Sequence, residues 1–160
     1  MRGGVLPPAL LFAALAFALA FAPRRGRLPA IAAALVIAFA AAQLQLAPAW
    51  VEEVFLGCWA SVIVTAALIH RRGGIGPRTA LVLGANAGLW AGATIALAGT
   101  TLDLAKAAPL LAIVVPAAWL TGTGRGIAVK VAASWLIAIA GLAAVLPIVP
   151  TPGYAPDHMD

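Results

Sequence analysis

Residues 79–99 read TALVLGANAGLWAGATIALAG, a run that is apolar from end to end and carries no charge. Small residues recur through it at one interval: Ala80, Gly84, Gly88, Gly92 and Ala96. A spacing of four is slightly more than one helical turn, so these positions share a face. Glycine in a helix interior costs about 1 kcal/mol against alanine. Three glycines in register therefore point to a face that gains from being bare. In a bilayer that gain is the close approach of a second helix. The stretch predicts an all-α integral membrane protein, with residues 79–99 as its packing spine and Gly84, Gly88 and Gly92 as packing positions.

The totals agree with this reading. The chain is 64% hydrophobic and 9% charged, with a mean hydropathy of +1.06, whereas soluble domains run near about 25% charged. So apolar a chain has too little polar surface to cover a soluble globule. The net charge of +5 does not indicate nucleic acid. The basic residues sit in short clusters between apolar segments, as in cytoplasmic membrane loops, and no aromatics interleave with them as a nucleic-acid groove requires. The single cysteine, Cys58, excludes an intrachain disulfide. The alanine-rich, arginine-preferring composition suits a bacterial inner-membrane protein.

A bilayer core of about 30 Å needs roughly 20 apolar helical residues. Six segments approach that length: residues 5–22, 28–46, 51–70, 79–99, 102–120 and 127–146. They predict a bundle of about six transmembrane helices in three hairpins, one transmembrane domain over residues 1–152, and a short polar tail over 153–160. The first segment has the outline of a signal peptide, with Ala18 and Ala20 as a small-residue pair. Arg24, Arg25 and Arg27 follow it directly. Export would carry that cluster to the wrong side, so the first helix is read as uncleaved.

Links one, three and five, with the first turn of the last helix, hold Arg24, Arg25, Arg27, Arg71, Arg72, Arg78, Arg125 and Lys130. The other side holds Arg2, Lys106 and every acid: Glu52, Glu53, Asp103, Asp157 and Asp160. The positive-inside rule puts the odd links in the cytoplasm and both termini outside.

Polar residues within the spans are few, and each has two readings. Glu53, Gly57, Ser61 and Thr65 recur every four residues and form a second narrow face. Short-linked helices are neighbours, so the plain expectation packs Gly57, Ser61 and Thr65 against the glycine face of residues 79–99. The functional alternative is a polar path lined by Ser61 and Thr65 below an inward-pointing Glu53, since an ionisable group near the membrane interior is a functional candidate. Asn86 lies opposite the glycine face, because two residues turn a helix by about 200°. Trp90 is one turn on. The pair is either interhelical glue or the lining of a small site. Pro109 and Pro116 each remove a backbone donor from the fifth segment, which marks a kink or a discontinuous helix near a site. Asp157, His158 and Asp160 are read as a solvated tail.

Metalloprotease, nucleotide-binding and redox motifs (H-E-x-x-H, Walker A, G-x-G-x-x-G, C-x-x-C) are absent from the sequence. No Ser–His–acid set can be assembled, and no cofactor or metal site is expected. The expectation is non-enzymatic: a homo-oligomeric small-solute or ion transporter using Glu53, Ser61, Thr65, Asn86 and Trp90, or else a subunit or assembly factor of a larger membrane complex. The expected partners are the lipid bilayer and other membrane subunits or copies of the chain, not nucleic acid.

Overall fold

The computed structural model describes residues 5–146. The expected tail at 153–160 lies outside the described residues, as do Asp157, His158 and Asp160. Within them the chain is all-helical. Helix α1 is Leu6–Ala20, α2 is Arg24–Ala42, and a 3-10 turn at Pro48–Trp50 leads into α3, Val51–Leu68. Helix α4 is Pro77–Ala98 and α5 is Thr101–Ala107; a 3-10 segment, Ala108–Ile113, joins α5 to α6, Val114–Gly122, and α7 is Gly126–Val145. Five helical runs are long and apolar enough to cross a membrane: Arg24–Ala42, Pro48–Leu68, Pro77–Ala98, Thr101–Gly122 and Gly126–Val145.

The sixth helix, α1, has 15 residues, which at 1.5 Å per residue is about 22 Å and short for a bilayer. Its place in the bundle explains this. α1 is apolar on every side, and a helix of that kind is buried. Leu11, Phe12, Leu15 and Leu19 are wholly inaccessible, and α1 touches α3, α4, α5, the 3-10 segment, α6 and α7. It is the core around which the other helices stand, a position that residues 79–99 were expected to hold. Pro7 and Pro8 open it, where a missing N–H costs nothing.

A helix that ends inside the protein must satisfy its last carbonyls there. Arg27 folds back to do so, donating from Nε to the Ala22 carbonyl at 3.0 Å and from Nη2 to that of Ala20 at 3.1 Å. The Thr121 hydroxyl lies 3.2 Å from the Ala20 carbonyl and 2.9 Å from that of Ala118. A cation at a helix C-terminus is also favoured by the macrodipole.

The glycine face of α4 does make a close helix contact, but with α2 rather than α3. A Cβ at Gly84 would stand 2.9 Å from the Ala30 carbonyl carbon and 3.0 Å from its Cα, and nearer still to its oxygen. Gly88 bears the same relation to Ala34, and Gly92 to Ala38. Numbers rise together along both helices, so α2 and α4 run parallel. Ala30, Ala34 and Ala38 are wholly buried and supply a matching small stripe. Of the three expected hairpins, α3 packs on α4 and α6 on α7, whereas the first is corrected: α2 turns away from α1 and lies chiefly along α4.

Two further boundaries differ from expectation. α2 begins at Arg24, not 28, because extended Pro23 is its N-cap and the arginines form its first turn. The fifth segment is broken into α5, a 3-10 piece and α6. Pro109 stands in the first turn of that 3-10 piece, and each proline denies an α-helical bond to the carbonyl four residues earlier. α5 is set by a capping box: the Thr100 N–H and hydroxyl donate to the Asp103 carboxylate at 2.9 and 3.0 Å. Lys106 Nζ stands 3.7 Å from the same carboxylate.

Candidate functional site

Residues that the sequence singled out meet where α3 crosses α4. The two helices run antiparallel. The Asn86 amide donates to the Ser61 hydroxyl, and one turn away the Trp90 ring lies over Gly57. A Cβ at Gly57 would come within 2.8 Å of Trp90 Cε3 and closer to the next two ring atoms. Glycine is needed there because the indole occupies the space a side chain would fill. The polar-aromatic side of α4 and the small side of α3 therefore fit together, leaving the glycine side of α4 for α2.

Around this contact, polar groups are buried rather than displayed. Ser61, Thr65 and Thr94 are buried. The Thr94 hydroxyl donates to the Trp90 carbonyl one turn back at 2.8 Å, and the Cys58 thiol is buried. The Thr65 hydroxyl and the Trp59 indole N–H find no partner among the described residues, an uncommon state for buried polar atoms. Trp59 is held instead by Phe55, edge to face, with centroids 5.7 Å apart.

Glu53 does not join the group. It is exposed on the first turn of α3, which corrects the expectation that it points inward along the Gly57–Ser61–Thr65 face. The Val51–Leu68 helix begins only two residues before it, so its side chain stands at the end of the bundle, where a charge keeps its hydration. The remaining tryptophans divide. Trp50 and Trp119 are exposed at helix ends, and mid-helix Trp135 faces outward from α7.

A second locus lies at the end where links one, three and five converge. Gly26 at the start of α2 would place a Cβ 3.0 Å from the Pro77 Cα at the start of α4. Phe21 is the hub, with Lys130 Nζ 5.9 Å from its ring centroid and Gly126 beside it. A cleft of about 890 Å³ opens here between the start of α2 and the end of α6. Arg24, Arg27, Trp119 and Thr121 line it together with apolar side chains. The sequence marked these arginines only as topogenic charge. No spacing signal gave Arg27 its place on the α1 carbonyls, since that contact depends on where the chain turns.

Among the described residues, no group of three or more His, Cys, Asp or Glu side chains is placed to hold a metal ion. The fold thus defines an all-helical protein with several helices apolar enough for membrane insertion. No protein-family model, curated protein or solved structure matches the chain.

Proposed function

We propose that the protein is a non-enzymatic multi-pass protein of the bacterial inner membrane that serves as a subunit or assembly factor of a larger membrane complex. The Asn86–Ser61 hydrogen bond carries the reading. A transport path needs polar groups left free to exchange with a passing solute. Here Asn86, the amide side chain in the middle of α4, is engaged by a neighbouring helix, with Trp90 seated over Gly57 beside it. Outward faces support the same view: Val36 and Phe39 of α2 and Trp135 and Leu142 of α7 are exposed and apolar, suited to lipid or to other subunits. In the proposed orientation the arginine-rich links face the cytoplasm and both termini lie outside.

Extraction of the tagged chain in mild detergent, followed by identification of whatever remains bound, tests this reading. A stoichiometric hetero-complex is expected. A homogeneous homo-oligomer that conducts ions or solutes in proteoliposomes would refute it. One observation favours that second reading, a homo-oligomeric transporter: the run Thr101–Gly122 is interrupted by six residues of 3-10 helix. Mid-helix 3-10 stretches often mark hinges, and discontinuous helices form transport sites. Loss of flux in Asn86→Leu, with stability kept, would select it.

A further inference from the structure

We propose that the cleft between the start of α2 and the end of α6 binds one anionic phospholipid, its phosphate on Arg24 and Arg27 and an acyl chain along Leu28, Ile31, Val115 and Trp119. All six residues line the cleft, whose volume is about 890 Å³. The proposal rests on the membrane-embedded reading given above.

The charge and the shape of the cleft carry it together. Arg27 is pinned by its bonds to the Ala22 and Ala20 carbonyls. These use two of the five guanidinium N–H donors and leave three in a fixed fork suited to phosphate. Arg24 lies one turn earlier on the same helix and is exposed. The first turn of α2 contains no acid, and no side chain caps it, so nothing there opposes an anion. Below the arginines the walls change character. Leu28, Val115 and Trp119 are 76%, 71% and 60% exposed, an open apolar groove that continues the guanidinium site toward the bundle middle. A soluble anion has no use for such a groove, whereas a phospholipid matches both parts. Basic pockets between helices on the cytoplasmic side are suited to anionic headgroups, and an indole at that level suits the interface.

The test uses the full chain in phosphatidylcholine bilayers. Phosphatidylglycerol or phosphatidylcholine with brominated chains is added at equal fraction, and tryptophan quenching is read in the wild type and in Trp119→Phe. The difference isolates Trp119. Brominated phosphatidylglycerol should quench Trp119 more strongly than brominated phosphatidylcholine. Its apparent affinity should fall about fivefold in Arg24→Gln, as expected for one arginine near the surface. Arg78→Gln, a basic residue at the same end that does not line the cleft, should change nothing. Arg27→Gln should lower the affinity further, but it also removes the α1 cap, so Arg24→Gln is the deciding variant.

Equal quenching by the two lipids would overturn the proposal. So would equal losses in Arg24→Gln and Arg78→Gln, which indicate diffuse surface charge. Displacement by inorganic phosphate, but not by chloride at matched ionic strength, would reassign the cleft to a soluble anion. Excess quenching seen in the isolated chain but not in a complex with its partners would give the cleft to a protein neighbour. Quenching by neither lipid would remove the membrane reading and the lipid site with it.

Discussion

Gly88→Ala adds a single methyl group at the middle of the close contact between α4 and α2. The new Cβ would stand 3.1 Å from both the carbonyl carbon and the Cα of Ala34, and inside 3.0 Å of its oxygen, where ordinary contact begins at 3.4 Å. Every one of these atoms is backbone, so no flexible side chain can swing away. Helices α2 and α4 must part by several tenths of an ångström along their shared stripe. Overpacking of this kind costs about 1–3 kcal/mol, offset by about 1 kcal/mol of helix propensity. The same substitution at Gly141, inside α7, meets nothing within 4 Å and keeps only the propensity gain. Comparing the two variants cancels that gain and leaves the steric cost. Unfolding by denaturing detergent in mixed micelles should therefore place Gly88→Ala about 1–3 kcal/mol below Gly141→Ala. Adding Gly84→Ala should cost less than its single effect, because helices already pushed apart accept a second methyl more cheaply. Ala34→Gly should not rescue Gly88→Ala, since the obstructing atoms belong to the backbone. Equal stability of Gly88→Ala and Gly141→Ala would refute the close parallel packing of α2 on α4.

Asn86→Leu should cost about 0.6 kcal/mol, the usual worth of an interhelical hydrogen bond in membranes. A double-mutant cycle with Ser61→Ala should return a coupling of that size, and zero coupling would dissolve the pair. Arg27→Gln should destabilise by about 1.5–3 kcal/mol, as charged hydrogen bonds do, and Thr121→Val by about 0.5–1.5 kcal/mol; thermal unfolding in detergent ranks them, and a silent Arg27→Gln would remove the cap on α1. A reporter active only in the periplasm, fused after Asp160, should be active; activity only of a cytoplasmic reporter would refute the proposed orientation.

Helix number and approximate span were legible because apolar run length is a strong signal and the Gly and Pro links are short. Partner choice was not. The glycine face of α4 announced a close contact, and a short link pointed to α3 as the other half. The actual partner stripe on α2, Gly26, Ala30, Ala34 and Ala38, has the same spacing of four. It is concealed because α2 is rich in alanine on its other sides too, at Ala32, Ala33 and Ala40 for example. Periodicity did place Asn86 and Trp90 opposite the glycine face, and that is where α3 meets them. The face of α3 that carries Gly57 and Ser61 was also legible, though matched to the wrong side of α4. Glu53 shared the register of that face, but register cannot tell how near a helix end lies to water. The arginine fork on α1 had no local signature, because it joins a side chain to carbonyls five and seven residues back across a turn.

The short central helix ties these observations together. A span that reaches both membrane surfaces satisfies its terminal carbonyls with water, but α1 ends among other helices and depends on protein donors. Those donors come from two different helices: Arg27 from the first turn of α2, and Thr121 from the last turn of α6. Both bond the Ala20 carbonyl, so one buried atom fixes the start of α2 against the end of α6. The cleft lies between those same two elements, and its width is set by the cap. Arg27 therefore acts three ways in this fold. In the proposed orientation its charge biases the link toward the cytoplasm; its donors close α1, and its side chain lines the cleft. The first role needs only a positive charge, which lysine would supply; the other two need the planar fork. Arg27→Lys should keep the orientation and lose the cap, which separates topology from architecture at a single residue.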